Sequence, residues 1–212
     1  MNKINYLSKL NMASFFDKNT LRSVVGGNDD GFNANVARWI ENGTLIQLKK
    51  GLYVTDQYFS ACSDKQSYNE FVANILKKPS YLSGEYVLQK YGVLSESVFS
   101  VTSITRKKTK IYNNKLGLFG YSNIKKSLFT GFKIVSKSGF EIKEATLEKA
   151  LFDYLYFKLK AVPTINQEVV DSLRLNMNMF LVKDYFNLSV YLKLLSLKKF
   201  DNLISYLKQT SR

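Results

Sequence analysis

The sequence predicts an α+β protein: an N-terminal winged helix-turn-helix followed by a mixed α/β domain with a helical C-terminus. Three observations predict it. Residues 1–55 read as helices and then a short hairpin with a basic tip. Strand-like stretches alternate with turns between 97 and 143. From 145 onward, apolar residues return at helical spacing. With 212 residues the chain is long enough for two small domains, which divide as 1–58, the winged helix-turn-helix, and 62–212, the α+β remainder. Neither Pro79 nor Pro163 lies in a Pro/Gly/Ser-rich linker, so close-packed domains are expected.

In the first domain, Ile4, Leu7 and Leu10, then Phe15 and Phe16, make a loose helical stripe. Asn19 or Thr20 is the expected cap of a short second helix with Leu21, Val24 and Val25 turned inward. Gly26-Gly27 ends it, and Asn28-Asp29-Asp30-Gly31 is a turn by composition. A third helix, Phe32 to Asn42, puts Phe32, Val36, Trp39 and Ile40 on one face. Ala34, Ala37, Arg38 and Glu41 fall on the opposite face, with Asn33 and Asn35 on its flanks. Gly43 stands where a left-handed cap is usual. Thr44 to Lys49 and Leu52 to Thr55 are strands about a Lys50-Gly51 turn. Ile46 and Leu48 alternate with Gln47 and Lys49, which predicts one buried face and one wet face.

Beyond a boundary at 57–66, a helix is expected near Tyr68 to Lys77. Ser83 is the expected cap of another, running to Tyr91 and stopped by Gly92. Ser97 to Thr105 reads as a strand, followed by the basic run Arg106 to Lys110 and strand-like pieces at 109–112, 116–124 and 132–143. Ser138-Gly139 turns the last piece into a hairpin. Thr146 is the expected cap of the next helix, with Glu148 in its first turn suiting the helix dipole. Leu147, Ala150, Leu151, Tyr154 and Leu155 form its buried face. The stretch 165–212 reads as helical throughout.

Composition narrows the function. Lys plus Arg count 31 against 17 Asp plus Glu, a net charge of +14. Such a balance suggests a polyanionic partner, above all nucleic acid; the competing explanation is a solubilising lysine coat. Residues 1–60 carry 7 basic and 5 acidic side chains, whereas 61–160 carry 17 and 8, so the excess sits mainly outside the helix-turn-helix. Histidine is absent, which removes the commonest general base and metal ligand. The single cysteine, Cys62, precludes an internal disulfide and any multi-thiolate metal site, and fits a reducing cytoplasm. No run of about 20 apolar residues spans a membrane, and Lys3, Asn5, Ser8 and Lys9 interrupt any secretory signal.

The third helix is the candidate reader of duplex DNA. Ala34 and Ala37 keep its outward face low enough to approach base edges; Asn33 and Asn35 match the donor and acceptor pair of adenine, and Arg38 suits guanine or a phosphate. Lys49 and Lys50 at the hairpin tip suit the phosphate backbone. Arg106, Lys107, Lys108 and Lys110 are either a solvated loop or a second anion-binding patch. Trp39 shares its face with three apolar residues and belongs to the core. Catalytic candidates are poor. Asp29-Asp30 falls in a turn, Glu148 and Asp153 lie about 140° apart around a helix, and no Walker-type glycine loop occurs. No catalytic residue, metal ligand or cofactor is therefore assigned.

Three stretches carry a family resemblance. ENGTLIQLKKGLYV (41–54) resembles the winged-helix ending of AbiEi-type antitoxins; PSYLSGEYVLQKYGVL (79–94) and ATLEKALFDYLYF (145–157) are similar to two further motifs of that family, in the same order. The resemblance implies a cytoplasmic transcriptional regulator of a type IV, abortive-infection toxin–antitoxin system, one that is not an enzyme. Such a protein represses its own operon by binding its operator and counters a nucleotidyltransferase-like toxin without a necessary stable complex. It also implies that Arg38, Lys49 and Lys50 belong to the DNA-binding element, and that Glu148, Lys149 and Asp153 fall in a motif with a structural role. Two competing classes remain: a nucleic-acid- or nucleotide-processing enzyme targeted by a winged helix, and a protein–protein interaction module.

Overall fold

The computed structural model describes residues 4–210, with side chains from Tyr6 to Thr210. Helix α1 (Ile4–Leu7) runs into a 3-10 turn at Ser8–Leu10, and Leu7 and Leu10 are buried as their spacing predicts. The side-chain roles given above to Lys3, Ile4 and Asn5 lie outside the described residues. Phe15 and Phe16 do not extend that stripe. Phe16–Asp17 is a two-residue strand, β1, and Phe16 packs on Tyr53 of the strand it pairs with, at 6.4 Å between rings. A partner strand decides the conformation here, because paired aromatics suit a sheet as well as a helix.

Helix α2 (Lys18–Val25) is capped by Asp17, not by Asn19 or Thr20: its carboxylate accepts the Thr20 N–H at 2.8 Å. That bond holds the Asp17 carboxyl below its ordinary pKa. Helix α3 (Asp29–Glu41) also begins earlier than composition suggests. The Asn28 side chain accepts the Gly31 N–H at 3.0 Å, so Asn28–Gly31 is a cap and first helical turn instead of a loop. Asp29 and Asp30 then occupy the positions where a helix dipole favours negative charge. Phe32 and Trp39 are fully buried, and Gly43 adopts φ 79° after the helix, the left-handed conformation expected of it.

The hairpin β2 (Leu45–Lys49) and β3 (Leu52–Thr55) forms a three-stranded sheet ordered β1-β3-β2. It lacks the expected wet face. Leu45 and Tyr53 join a small core with Leu21, Phe32 and Trp39. Ile46, Leu48, Leu52 and Val54 join the larger core on the other side. Each such side chain contributes about 1.5–3 kcal/mol. The hairpin is therefore a wall shared by two cores, anchored from both sides.

Helices α4 (Asp56–Ala61) and α5 (Lys65–Leu76) lead into a six-stranded mixed sheet. Its strands are β4 (Ser80–Leu82), β5 (Ser100–Thr105), β6 (Lys110–Asn114), β7 (Gly117–Asn123), β8 (Phe132–Lys137) and β9 (Phe140–Ala145), in the order β6-β7-β5-β4-β9-β8. The pairs β5–β7 and β4–β9 are parallel, the others antiparallel. Ser138 and Gly139, with φ of 48° and 82°, make the predicted turn between β8 and β9. Helix α5 covers one sheet face, where Tyr121 donates its hydroxyl proton to the Ala73 carbonyl.

Between β4 and β5 lies α6 (Glu85–Lys90), whose N-cap position is Gly84. Ser83 does not cap it; that hydroxyl is buried and turned to α7 (Leu147–Leu159) on the other sheet face. Thr146 occupies the N-cap position of α7 but makes no capping bond. Burial on α7 exceeds the expected stripe: Lys149, Phe152 and Asp153 are buried along with Ala150, Leu151, Tyr154 and Leu155, while Leu147 is half-buried. The cause is cover from two sides, the sheet and α9 (below). The C-terminal part is not continuously helical. It consists of α8 (Gln167–Asp171), a 3-10 turn at Met177–Met179, α9 (Val182–Lys193), a second 3-10 turn at Lys198–Phe200, and α10 (Leu203–Gln209). Residues 211 and 212 of that predicted helical stretch lie outside the described ones.

Candidate nucleic-acid interface

On α3 the apolar face is turned inward, and Asn33, Ala34, Ala37, Arg38 and Glu41 are exposed. Asn35 is half-buried and its amide is engaged: Nδ2 donates to the Gly31 carbonyl at 2.7 Å, and Oδ1 accepts from Arg38 at 2.7 Å. Asn33 Oδ1 accepts from Lys18 Nζ at 3.1 Å. Both amides thus already hold internal bonds, Asn33 on its oxygen and Asn35 on both atoms, and each keeps one further lone pair and at least one further N–H for an adenine edge. Arg38 keeps further N–H groups for a base or phosphate.

Nothing in the sequence pattern marks Lys18, yet the structure puts it at the junction of the two elements. Its backbone N–H donates to the Gly51 carbonyl at 3.0 Å, so it sits against the Lys50-Gly51 turn while its ammonium reaches Asn33. Only the β1–β3 pairing brings it there, which is why helical periodicity offers no signal for it.

At the other flank of the hairpin, Lys50 is exposed but Lys49 is half-buried, with Nζ donating to the Leu76 carbonyl at 2.6 Å. Burial lowers the Lys49 pKa, and the ammonium groups of Lys107, Lys110, Lys77 and Lys78 lower it further. Lys77 is lowered in turn by burial and by Lys110 and Lys107. Strand β6 lies against the hairpin, where Asn114 Nδ2 donates to the Leu48 carbonyl at 2.8 Å. A surface cleft of about 540 Å³ runs between them, lined by Lys49 and Lys50 on one side and by Lys110 and Tyr112 on the other. Two basic regions far apart in sequence thus meet at one place. Arg106 and Lys108 are exposed in the same connection but are not among the charges acting on Lys49. Ammonium groups near enough to lower Lys49 and Lys77 are held there against like-charge repulsion, a repulsion that a polyanion would relieve.

Three of the four candidate catalytic carboxylates are engaged in the fold, and Asp30 is exposed in the first turn of α3. Asp29 pairs with Arg22. Glu148 accepts from Asn187 at 3.2 Å. Asp153, fully buried, pairs with the equally buried Lys149 and accepts hydroxyl protons from Ser83 at 2.7 Å and Tyr81 at 3.0 Å. Tyr81 and Ser83 stand two apart at the end of β4, and Lys149 and Asp153 four apart on α7. Those are the spacings that put side chains on one face of a strand and of a helix, a signal the sequence does carry. Among the described residues, no group of three or more His, Cys, Asp or Glu side chains is arranged to hold a metal ion. No helix among them is long and apolar enough to cross a membrane.

No protein-family model matches the chain, and no curated protein sequence matches it.

Proposed function

We propose that this protein binds double-stranded DNA through a winged helix formed by α2, α3 and the β2–β3 hairpin, and acts as a transcriptional regulator without enzymatic activity. The observation that carries the reading is the convergence of Lys49, Lys50, Lys77, Lys107 and Lys110 beside the hairpin. Lys18 continues that surface toward the exposed Ala34, Ala37 and Arg38 of α3. In this reading α3 enters the major groove, the hairpin turn meets one phosphate strand, and the β6 lysines extend the grip on the backbone. The near-neutral charge of residues 1–60 is then no obstacle, because the larger domain supplies the cations. Taken with the resemblance of 41–54, 79–94 and 145–157, the target is the operator of the protein's own operon, in an antitoxin of the AbiEi type acting in the cytoplasm.

Binding of the upstream duplex, followed by fluorescence anisotropy across a salt series, tests this. Six phosphates neutralised by lysine predict a log–log slope of about −5. Replacing Lys50, Lys107 and Lys110 with alanine flattens it by about 0.9 for each phosphate left without its lysine, and Ala34→Glu abolishes discrimination between operator and unrelated duplex. An unchanged slope in the triple variant overturns the proposal.

A further inference from the structure

Helix α9 carries an apolar ridge on its solvent side. Val182, Phe186 and Val190 follow one another at four-residue spacing, and Leu194 and Leu197 prolong the line past the helix end. Their exposures are 87%, 69%, 47%, 49% and 48%, high for residues of this kind on a helix whose inner face is already satisfied by Leu188 and Leu192. Leu181, at 59%, widens the ridge at its N-terminal end. With ordinary residue areas the patch amounts to roughly 600 Å² per chain, three-quarters of the ~800 Å² that each partner gives to a stable interface, the rest being left to its rim. It stands at the top of the ~300–600 Å² usual for the largest patch on a monomer, a size that is often functional.

The ridge holds both halves of a fit. Phe186, its bulkiest knob, lies toward the N-terminal end. A cleft of about 510 Å³ lies at the C-terminal end, lined by Leu192, Leu197, Phe200 and Ile204. A surface with a knob and a hole at opposite ends of one line is complementary to itself under a two-fold rotation through the middle of that line. The middle is near Val190. One opposite-charge pair accompanies the fit: Asp201 lines the cleft and Lys183 flanks the Phe186 end, so the rotation brings Lys183 of each chain toward Asp201 of the other. Lys193 and Lys198 also line the cleft; like Lys183 and Asp201 they are exposed, so solvent screens all four charges and the apolar fit carries the contact. Rows of side chains at four-residue spacing pack into one another's grooves at a crossing angle of about −50°.

We propose that α9 is the two-fold interface of a homodimer, with Val190 beside its own copy and Phe186 of each chain in the cleft of the other. The proposal stands apart from the nucleic-acid reading, since α9 contributes nothing to the basic surface. Sedimentation velocity on the full chain, from low micromolar concentration upward, is expected to give twice the chain mass. Phe186→Asp is expected to give a monomer with an unchanged far-UV circular dichroism spectrum. In a Cys62→Ser background, Val190→Cys is expected to form an intermolecular disulfide on mild oxidation. Val182→Cys is not, because the two copies of that position lie roughly 20–25 Å apart, beyond disulfide reach. A monomeric wild type, a dimeric Phe186→Asp, or equal cross-linking at 182 and 190 overturns the proposal. So does a monomer that floats with vesicles of anionic lipid, which assigns the ridge to a membrane surface.

Discussion

Replacing Asp153 with alanine leaves Lys149 without its counter-ion at a site where neither residue has any exposure. Three aromatic rings surround the ammonium, those of Phe152 at 4.5 Å, Tyr191 at 5.5 Å and Tyr81 at 5.7 Å, but their attraction does not replace a carboxylate. In the intact protein burial lowers the Lys149 pKa and Asp153 opposes that shift; burial likewise raises Asp153, opposed by Lys149, Ser83 and Tyr81. Without Asp153 only the burial remains and the lysine loses its proton. Carrying a neutral lysine at pH 7 costs roughly 4–5 kcal/mol, and the Ser83 and Tyr81 hydroxyls lose their acceptor as well.

The total lies at or slightly above the 3–5 kcal/mol found when one partner of a buried pair is removed. A loss of about 4 kcal/mol corresponds to a Tm fall of about 8–16 °C for a chain of this size. The sign of the pH dependence is the diagnostic. Where Lys149 is neutral in the folded state and protonated in the unfolded one, the unfolded chain binds more protons. Stability of Asp153→Ala relative to wild type therefore rises toward pH 10, by about 1.4 kcal/mol per pH unit. Lys149→Met should show the reverse. Asp153, raised by burial, protonates in that variant, and stability falls as pH climbs above the ordinary aspartate value. Urea unfolding followed by far-UV circular dichroism between pH 5 and 10 measures both. If Asp153→Ala loses less than about 1 kcal/mol, with no pH slope, the charged buried pair is refuted.

Gly131→Ala should destabilise by about 1–3 kcal/mol or more: at φ 76° its Cβ would lie 2.8 Å from Lys149 Cγ and strike the Tyr191 hydroxyl. Gly139→Ala, at φ 82° in open space, should cost only the ~1–2 kcal/mol of a left-handed alanine, and thermal melts compare the two. Glu144 and Glu70, both buried, share Lys90 and Lys137 in a closed ring of ion pairs. Burial raises the Glu144 carboxyl, but hydrogen bonds from Lys137 and Lys90 more than reverse this. Lys137, lowered by burial, is raised more by Glu144 and Glu70. The shifts of Glu144 and Lys137 therefore contribute fully between about pH 4.3 and 10.4, fading below as Glu144 protonates and above as Lys137 loses its proton. Glu144→Gln should cost about 1.5–3 kcal/mol at pH 7, a difference from wild type that vanishes in urea melts as pH falls through the Glu144 pKa. Lys18→Met should weaken binding to operator and unrelated duplex alike and flatten the salt slope by about 0.9; in an anisotropy titration, a loss confined to the operator would contradict a phosphate role.

What the sequence determined by itself was local. The inward face of α3, its glycine stop at Gly43, the Lys50-Gly51 and Ser138-Gly139 turns and most strands were legible, because side-chain period and backbone freedom act over a few residues. Helix starts were ambiguous where a neighbouring carboxylate or amide competed for the capping role, as Asp17 did with Asn19 and Thr20. Tertiary structure alone decided the rest. That Phe16 is a strand, that both faces of the hairpin are covered, and that Ser83 binds Asp153 instead of capping α6 all depend on partners brought from elsewhere in the chain. The same holds for the candidate site. Lys49, Lys77 and the run holding Lys107 and Lys110 come from three separate stretches of chain, and a lysine carries no mark of which other lysines the sheet order will set beside it. Apolar period tells which side chains turn inward but not how many faces are covered, and charge convergence follows only from which strand and helix pack together.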